Sequence, residues 1–323
     1  MTDLGVLGAG RLGAVDRSGT VRPVGADWSL GWWIGAEDRW HVPPVEAAVR
    51  QTQVGDTPVV ETRVRVTGGD VVHHAYAVTG PGGAAALGVE ITNETPVPVA
   101  IALVVDGAHL TADDTRLRIG DRHTLRLPRS PSQVVGPAAF VPLPHKATLR
   151  VALVVGDECP DPDELASADR VATGWRTQAD AGARWSLPEP TITAATDTAR
   201  GFLLLQEPTP GWEEALVAEA RHALGPADPD VRREVVDRQR LSGAFRDVTG
   251  SEAATGQALV ALGVDPHPEL DAVVAKAAHV VERRRRVRRD RKDPRRAGLL
   301  PAGPQPPVLG ADGRTYLDDW WSV

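Results

Sequence analysis

The first 155 or so residues carry a period of two, and that pattern limits the fold more than any other feature of the chain. Val60, Thr62, Val64 and Val66 alternate with Glu61, Arg63 and Arg65. One face of such a strand is apolar and the other charged. A Gly-Gly-Asp turn at 68–70 then leads into VVHHAYAV, Val71 to Val78, as the returning strand of a hairpin. Further strands are predicted over 87–94, 97–105, 115–119, 123–128 and 147–156. Gly, Pro, Asp and Asn punctuate these runs at short intervals, with no helical run between them. The pattern predicts an antiparallel β-sandwich over residues 1–160.

Near residue 160 the period changes. After DECPDPDE a linker region is expected over 161–190, and a helical domain over 191–323. The 192–205 run places Ile192, Ala195, Ala199 and Phe202 on one expected apolar face. The 211–225 run groups Trp212, Leu216, Ala220 and Leu224 and ends at a Gly. Asp228 is a candidate N-cap with Pro229 at the first helical position. A small-residue helix is expected over Ser251 to Leu262. A longer one over 267–290 has Leu270, Val273, Val274, Ala277, Val280 and Val281 on its apolar side. The fold class is therefore multidomain, β followed by α.

At 323 residues the chain has room for two domains, taking roughly 150 residues for each. Nothing is apolar over about 18 residues, so no membrane-spanning helix is expected. The N-terminus, MTDLGVLGAG, lacks a basic start and a long apolar run, so no signal peptide is read there. Cys159 is the sole cysteine and cannot form an internal disulfide. The simplest compartment is the cytoplasm. Net charge is −7 but uneven: Glu282 to Arg296 holds ten Arg or Lys against three acids. This run continues an amphipathic helix, where cations suit the C-terminal end of the dipole. It lacks interleaved aromatics, so no nucleic-acid partner is expected.

Several motifs dissolve on inspection. Gly8 to Gly13 reads GAGRLG, a formal dinucleotide fingerprint. That fingerprint needs a long helix after the last glycine. Here the Asp16-Arg17-Ser18-Gly19 turn follows at once, so LGAVDRSGTVRPV reads as a β-hairpin. His73 and His74 are strand neighbours that face opposite ways and cannot share a metal. No H-E-x-x-H, C-x-x-C or G-x-S-x-G is present, and neither a metal site nor a cofactor is expected.

Tryptophan usage is skewed, with nine Trp against three Phe and two Tyr. Four of them lie in WSLGWWIGAEDRWH (28–41). Trp28, Leu30, Trp32 and Ile34 alternate as a buried strand face would, which leaves Trp33 on the opposite face. The second concentration is YLDDWWSV, Tyr316 to Val323. A sugar offers hydroxyls that suit a carboxylate and a C–H face that suits a flat indole. Asp318 and Asp319 beside Trp320 and Trp321, with Tyr316, supply both. The same residues also suit a helix start, with Asp as cap and Trp as core.

The segment GLLPAGPQPPVLGADGRTYLDDWWS (298–322) resembles the loop-and-helix motif of bacterial six-hairpin glycosidases, of the glucoamylase-like and trehalase-like kind. The resemblance is specific over those residues and architectural elsewhere. It implies an N-terminal sandwich followed by the first hairpins of an (α/α)6 toroid. It also implies a carbohydrate ligand, with Tyr316, Asp318, Asp319, Trp320 and Trp321 contacting the sugar. In such enzymes the catalytic carboxylates come from later loops, so the catalytic residues are unassigned. About five helices are readable before Val323, fewer than six pairs. The expectation is an incomplete, glycoside-hydrolase-like N-terminal portion that needs missing sequence or a partner for activity. Unpaired apolar helix faces would favour self-association or a complementing chain. The alternative is a non-catalytic carbohydrate-binding or scaffold protein using the sandwich and the 28–41 segment.

Overall fold

The computed structural model describes residues 1–155, 159–180, 188–205, 216–217, 219–221, 233, 235–245, 253–263, 267–287, 308–309 and 315–316. The chain divides into two compact units. The first holds residues 1–180 and 184–206, and the second holds 181–183 and 207–323.

The first unit is built on two eight-stranded antiparallel sheets. Sheet one runs β1 (Thr2–Val6), β2 (Gly10–Val15), β3 (Val21–Pro23), β4 (Ser29–Gly35), β10 (Val99–Asp106), β15 (Ala138–Leu143) and β14 (Gln133–Val135). The short β5 (Trp40–His41) pairs with β4. Sheet two runs β11 (Leu110–Asp113), β12 (Arg116–Ile119), β13 (His123–Arg126), β16 (Thr148–Val155), β9 (Ala85–Asn93), β8 (Gly69–Thr79), β7 (Val60–Val66) and β6 (Val49–Gln53). Their inner faces share one core, including Trp28, Leu30, Trp32 and Ile34 from sheet one and Val64, Val71, Ile91 and Leu125 from sheet two. The period-two segments thus form the sandwich that alternation requires.

Two Trp–His contacts cross the core. Trp32 stacks on His73 at 4.8 Å between ring centres, and Trp28 meets His123 edge-on at 4.9 Å. His74 points the other way, 3.2 Å from Glu61 Oε2. The GAGRLG segment enters β2, which turns back into β3 with Val15 opposite Val21. In the turn, Asp16 Oδ1 accepts from the Ser18 and Thr20 amides at 2.8 and 3.0 Å. Trp32 Nε1 donates to the Ser18 carbonyl at 2.9 Å, tying this turn to the core. Gly19, at φ +82°, lies directly on the indole: a Cβ there would sit 2.7 Å from Trp32 Nε1.

A second apolar layer covers the outer face of sheet two. Helix α1 (Ala168–Asp180) buries Ala168, Ala172 and Trp175, spaced four and three apart on one side. These pack with Val59, Tyr76, Val78, Ala86, Ala152 and Val154, joined by Leu205 after α2 (Pro190–Leu204). Within this face Tyr76 donates to Glu90 at 3.0 Å and Arg150 Nε donates to the same oxygen at 2.7 Å. Helix α1 lies in the stretch expected to be a linker.

The apolar face expected for α2 holds at Phe202, which is half-buried against the core under α1, and fails elsewhere. Ile192 is 54% exposed, and Ala195 and Ala199 are exposed as well. The buried residues are Arg200 and Gly201. Gly201 lies close to Pro58, where a Cβ would come within 3.3 Å of the ring. The helix approaches the turn before β7 through this small residue, and a hydrophobicity count misses that.

In the second unit, α3 (Ala253–Gly263) and α4 (Asp271–Val287) pack around Val235, Phe245, Ala258, Leu262, Leu270 and Ala277. Ala277 and Val280 are buried and Val273, Val274 and Val281 half-buried, as the heptad-like spacing of α4 predicts. Two short strands, β17 (Val308–Leu309) and β18 (Thr315–Tyr316), pair antiparallel. Trp212, Leu224, Asp228 and Pro229 lie outside the described residues. Among the described residues no helix is long and apolar enough to cross a membrane.

Candidate functional site

Asp318, Asp319, Trp320 and Trp321 lie outside the described residues. Tyr316 lies on β18, opposite Val308 in the pairing register. The described residues bring a different group of aromatics together, on the outer face of sheet one.

Alternation along β4 builds this face. Leu30, Trp32 and Ile34 are buried inward, so Gly31, Trp33 and Gly35 point outward. Trp33 is 36% exposed. Register carries the row sideways: Trp33 lies opposite Ala102 on β10, Ala102 opposite Phe140 on β15, and Phe140 opposite Gln133 on β14. Gly35 lies opposite Trp40 of β5. A Cβ on Gly35 would meet three atoms of the Trp40 six-membered ring at 3.0 to 3.2 Å. The indole therefore lies over the glycine, and Trp40 is still 42% exposed. Phe140 braces it edge-on, 5.7 Å between ring centres at 72°. Ala102, between Trp33 and Phe140, is fully buried.

Charged neighbours of Trp40 in sequence fix β5. Arg39 holds Glu46 through two bonds, Nη1–Oε1 at 2.5 Å and Nη2–Oε2 at 3.1 Å. This ion pair and its hydrogen bonds hold the Glu46 carboxyl below its usual range. His41 is buried, with Nε2 3.1 Å from Asp38 Oδ1. That hydrogen bond is the main reason the Asp38 carboxyl is held low. His41 Nδ1 lies 3.1 Å from Glu46 Oε1 but off hydrogen-bonding alignment, so it counts as close contact and not as a bond. The result is a fixed, uncharged aromatic surface with ionic groups beside it. It can hold a ring that is apolar on its face and polar at its rim.

A cleft of about 660 Å³ lies between the 55–58 turn, α1 and α2. Asp56, Arg176, Asp180, Asp197 and Arg200 line it. Arg200 donates to the Ala179 carbonyl at 2.6 Å and lies 3.6 Å from Asp197. Trp175, also in the lining, is only 9% exposed and belongs to the core under α1. It offers no open ring face, so the cleft suits a stacked sugar less well than the outer sheet does. Among the described residues no group of three or more His, Cys, Asp or Glu could hold a metal ion.

No protein-family model matches the chain, and no curated protein matches it. Among solved structures, the chain is similar to one titled "Putative kojibiose phosphorylase from human microbiome", at a TM-score of 0.30 and 8% identity. The match covers 71% of this chain and 37% of that one, so this chain spans little more than a third of that protein's length. At that TM-score the likeness carries no argument about activity.

Trp33 was legible from alternation, and Trp40 belongs to the same Trp-rich run. Phe140 was missed. Its strand, AAFVPL, is apolar at nearly every position and contains Pro142, so no alternation marks it.

Proposed function

We propose that this protein is a carbohydrate-binding, glycoside-hydrolase-like protein whose sandwich carries a sugar-contacting surface at Trp33, Trp40 and Phe140. The observation that carries the reading is the Trp40 indole seated on Gly35 while 42% exposed, with Trp33 on the same sheet face. A side chain of this size left open costs apolar burial, which a stacked ring would recover. The resemblance of 298–322 to six-hairpin glycosidases supports the same ligand class. On this reading the later helices are the opening hairpins of an (α/α)6 toroid. Asp318, Asp319, Tyr316, Trp320 and Trp321 contact sugar there, and the catalytic acid and base are unassigned.

The test is titration of the full chain with neutral soluble glycans, followed by tryptophan fluorescence. Binding that weakens in both Trp33→Ala and Trp40→Ala, with unchanged circular dichroism, is the expected result. Binding unchanged in both would overturn the assignment of the surface. Loss of self-association in those variants, without any glycan binding in the parent, would move the reading to a protein interaction surface.

A further inference from the structure

We propose that the outer aromatic face takes a neutral glycan chain of several residues laid across the strands, not a single sugar; this rests on the carbohydrate reading above. Neighbouring strands lie about 4.8 Å apart, so Trp33 on β4 and Phe140 on β15, with β10 between them, are about 10 Å apart at the backbone. Gly35, which carries the Trp40 ring, is two residues along β4 from Trp33, about 7 Å away. The Phe140 ring stands only 5.7 Å from the Trp40 ring and shares its place, so the two separate platforms are Trp33 and the Trp40–Phe140 pair. A single sugar covers one and leaves the other bare.

The surroundings favour a chain for two further reasons. Trp33 and Trp40 stand 36% and 42% exposed on a sheet face, so stacking on open rings is what this surface offers a ligand. Affinity must then come from repeated stacking rather than from grasping one terminal residue. The platform also carries no charge. Its other outward residues, Gly31, Ala100, Ala102 and Val104, are small or apolar. The ionic groups beside it, Asp38, Arg39 and Glu46, are tied to one another and to His41. With two carboxylates to one arginine in that cluster, the surface does not favour an acidic polysaccharide over a neutral one.

The experiment titrates the full-length protein with two neutral series, malto- and cello-oligosaccharides, from one to six residues. Affinity is expected to rise roughly tenfold as the second ring is reached, the factor that about 1.4 kcal/mol of extra stacking gives. Trp33→Ala and Trp40→Ala should each flatten this length dependence. Gly35→Val is a further check, because its side chain must displace the Trp40 ring while both tryptophans remain. A monosaccharide bound as tightly as a hexasaccharide overturns the chain proposal and leaves the carbohydrate reading standing. So does a length dependence that survives both tryptophan variants. No binding to any member of either series overturns both.

Discussion

His73 offers a direct measurement of how well the sandwich excludes water. It is 2% exposed and stacked on Trp32, and among the described residues its Nδ1 has no hydrogen-bond partner. Burial is the main cause, with a lesser push from His74, of a pKa brought down from 6.5 to about 3; Asp16 pulls weakly the other way. The unfolded chain takes up this proton near pH 6.5 and the folded chain only near pH 3. Between those values the unfolded state holds the extra proton, so stability rises with pH. The contribution is complete above pH 6.5 and is lost as pH falls toward 3. Going from pH 7 to pH 5 should remove about 2 kcal/mol through this one group. The assay is urea unfolding of the parent and His73→Phe at pH 7, 6 and 5. The substitution keeps a ring against Trp32 and removes the titration. Carboxylates act equally on both proteins, so the difference between the two slopes isolates His73. Parallel slopes would refute the claim that this imidazole is kept neutral by burial.

Other consequences are quicker to check. Gly19→Ala forces a side chain into a left-handed backbone and against Trp32, and should cost roughly 1–3 kcal/mol, read as a lowered unfolding midpoint. Asn93 is fully buried; its Nδ2 lies 2.8 Å from the Val97 carbonyl and 3.1 Å from that of Leu143, and its Oδ1 accepts from the Thr95 amide at 2.9 Å. Asn93→Ala should therefore cost about 2–3 kcal/mol by stranding these groups, and an unchanged midpoint would show the loop rebonding elsewhere. Burial pushes the Cys159 thiol up to about 11, so a thiol-specific reagent should label it slowly in the native protein and at once in urea.

The sandwich was legible because one face of each strand is buried and the other is not. Trp28, Trp32 and the His73–His74 pair were placed correctly by that rule alone. The hairpin that displaces the dinucleotide reading was legible too, since a turn at 16–19 leaves no room for a helix. Helix α2 was legible only at Phe202, because its other close contacts are made by Gly201 and by a buried arginine that no apolar pattern marks. The candidate site was half legible. Trp33 and Trp40 could be picked from the 28–41 run. Their common face, and Phe140 with them, depends on β4 lying beside β10 and β10 beside β15, pairings between segments about 40 to 70 residues apart. Register between distant strands leaves little trace in either strand's own composition.

The glycine beneath Trp40 makes the surface adjustable from below. The exposed side of the indole is the upper one, and what sets its height and tilt is the missing side chain underneath. One methyl group at position 35 would raise the indole by a few tenths of an ångström, and a larger residue would tip it over. If a ligand stacks on this face as proposed, its affinity can thus be graded without altering any residue the ligand touches, and a screen confined to contact positions would overlook the residue that sets it.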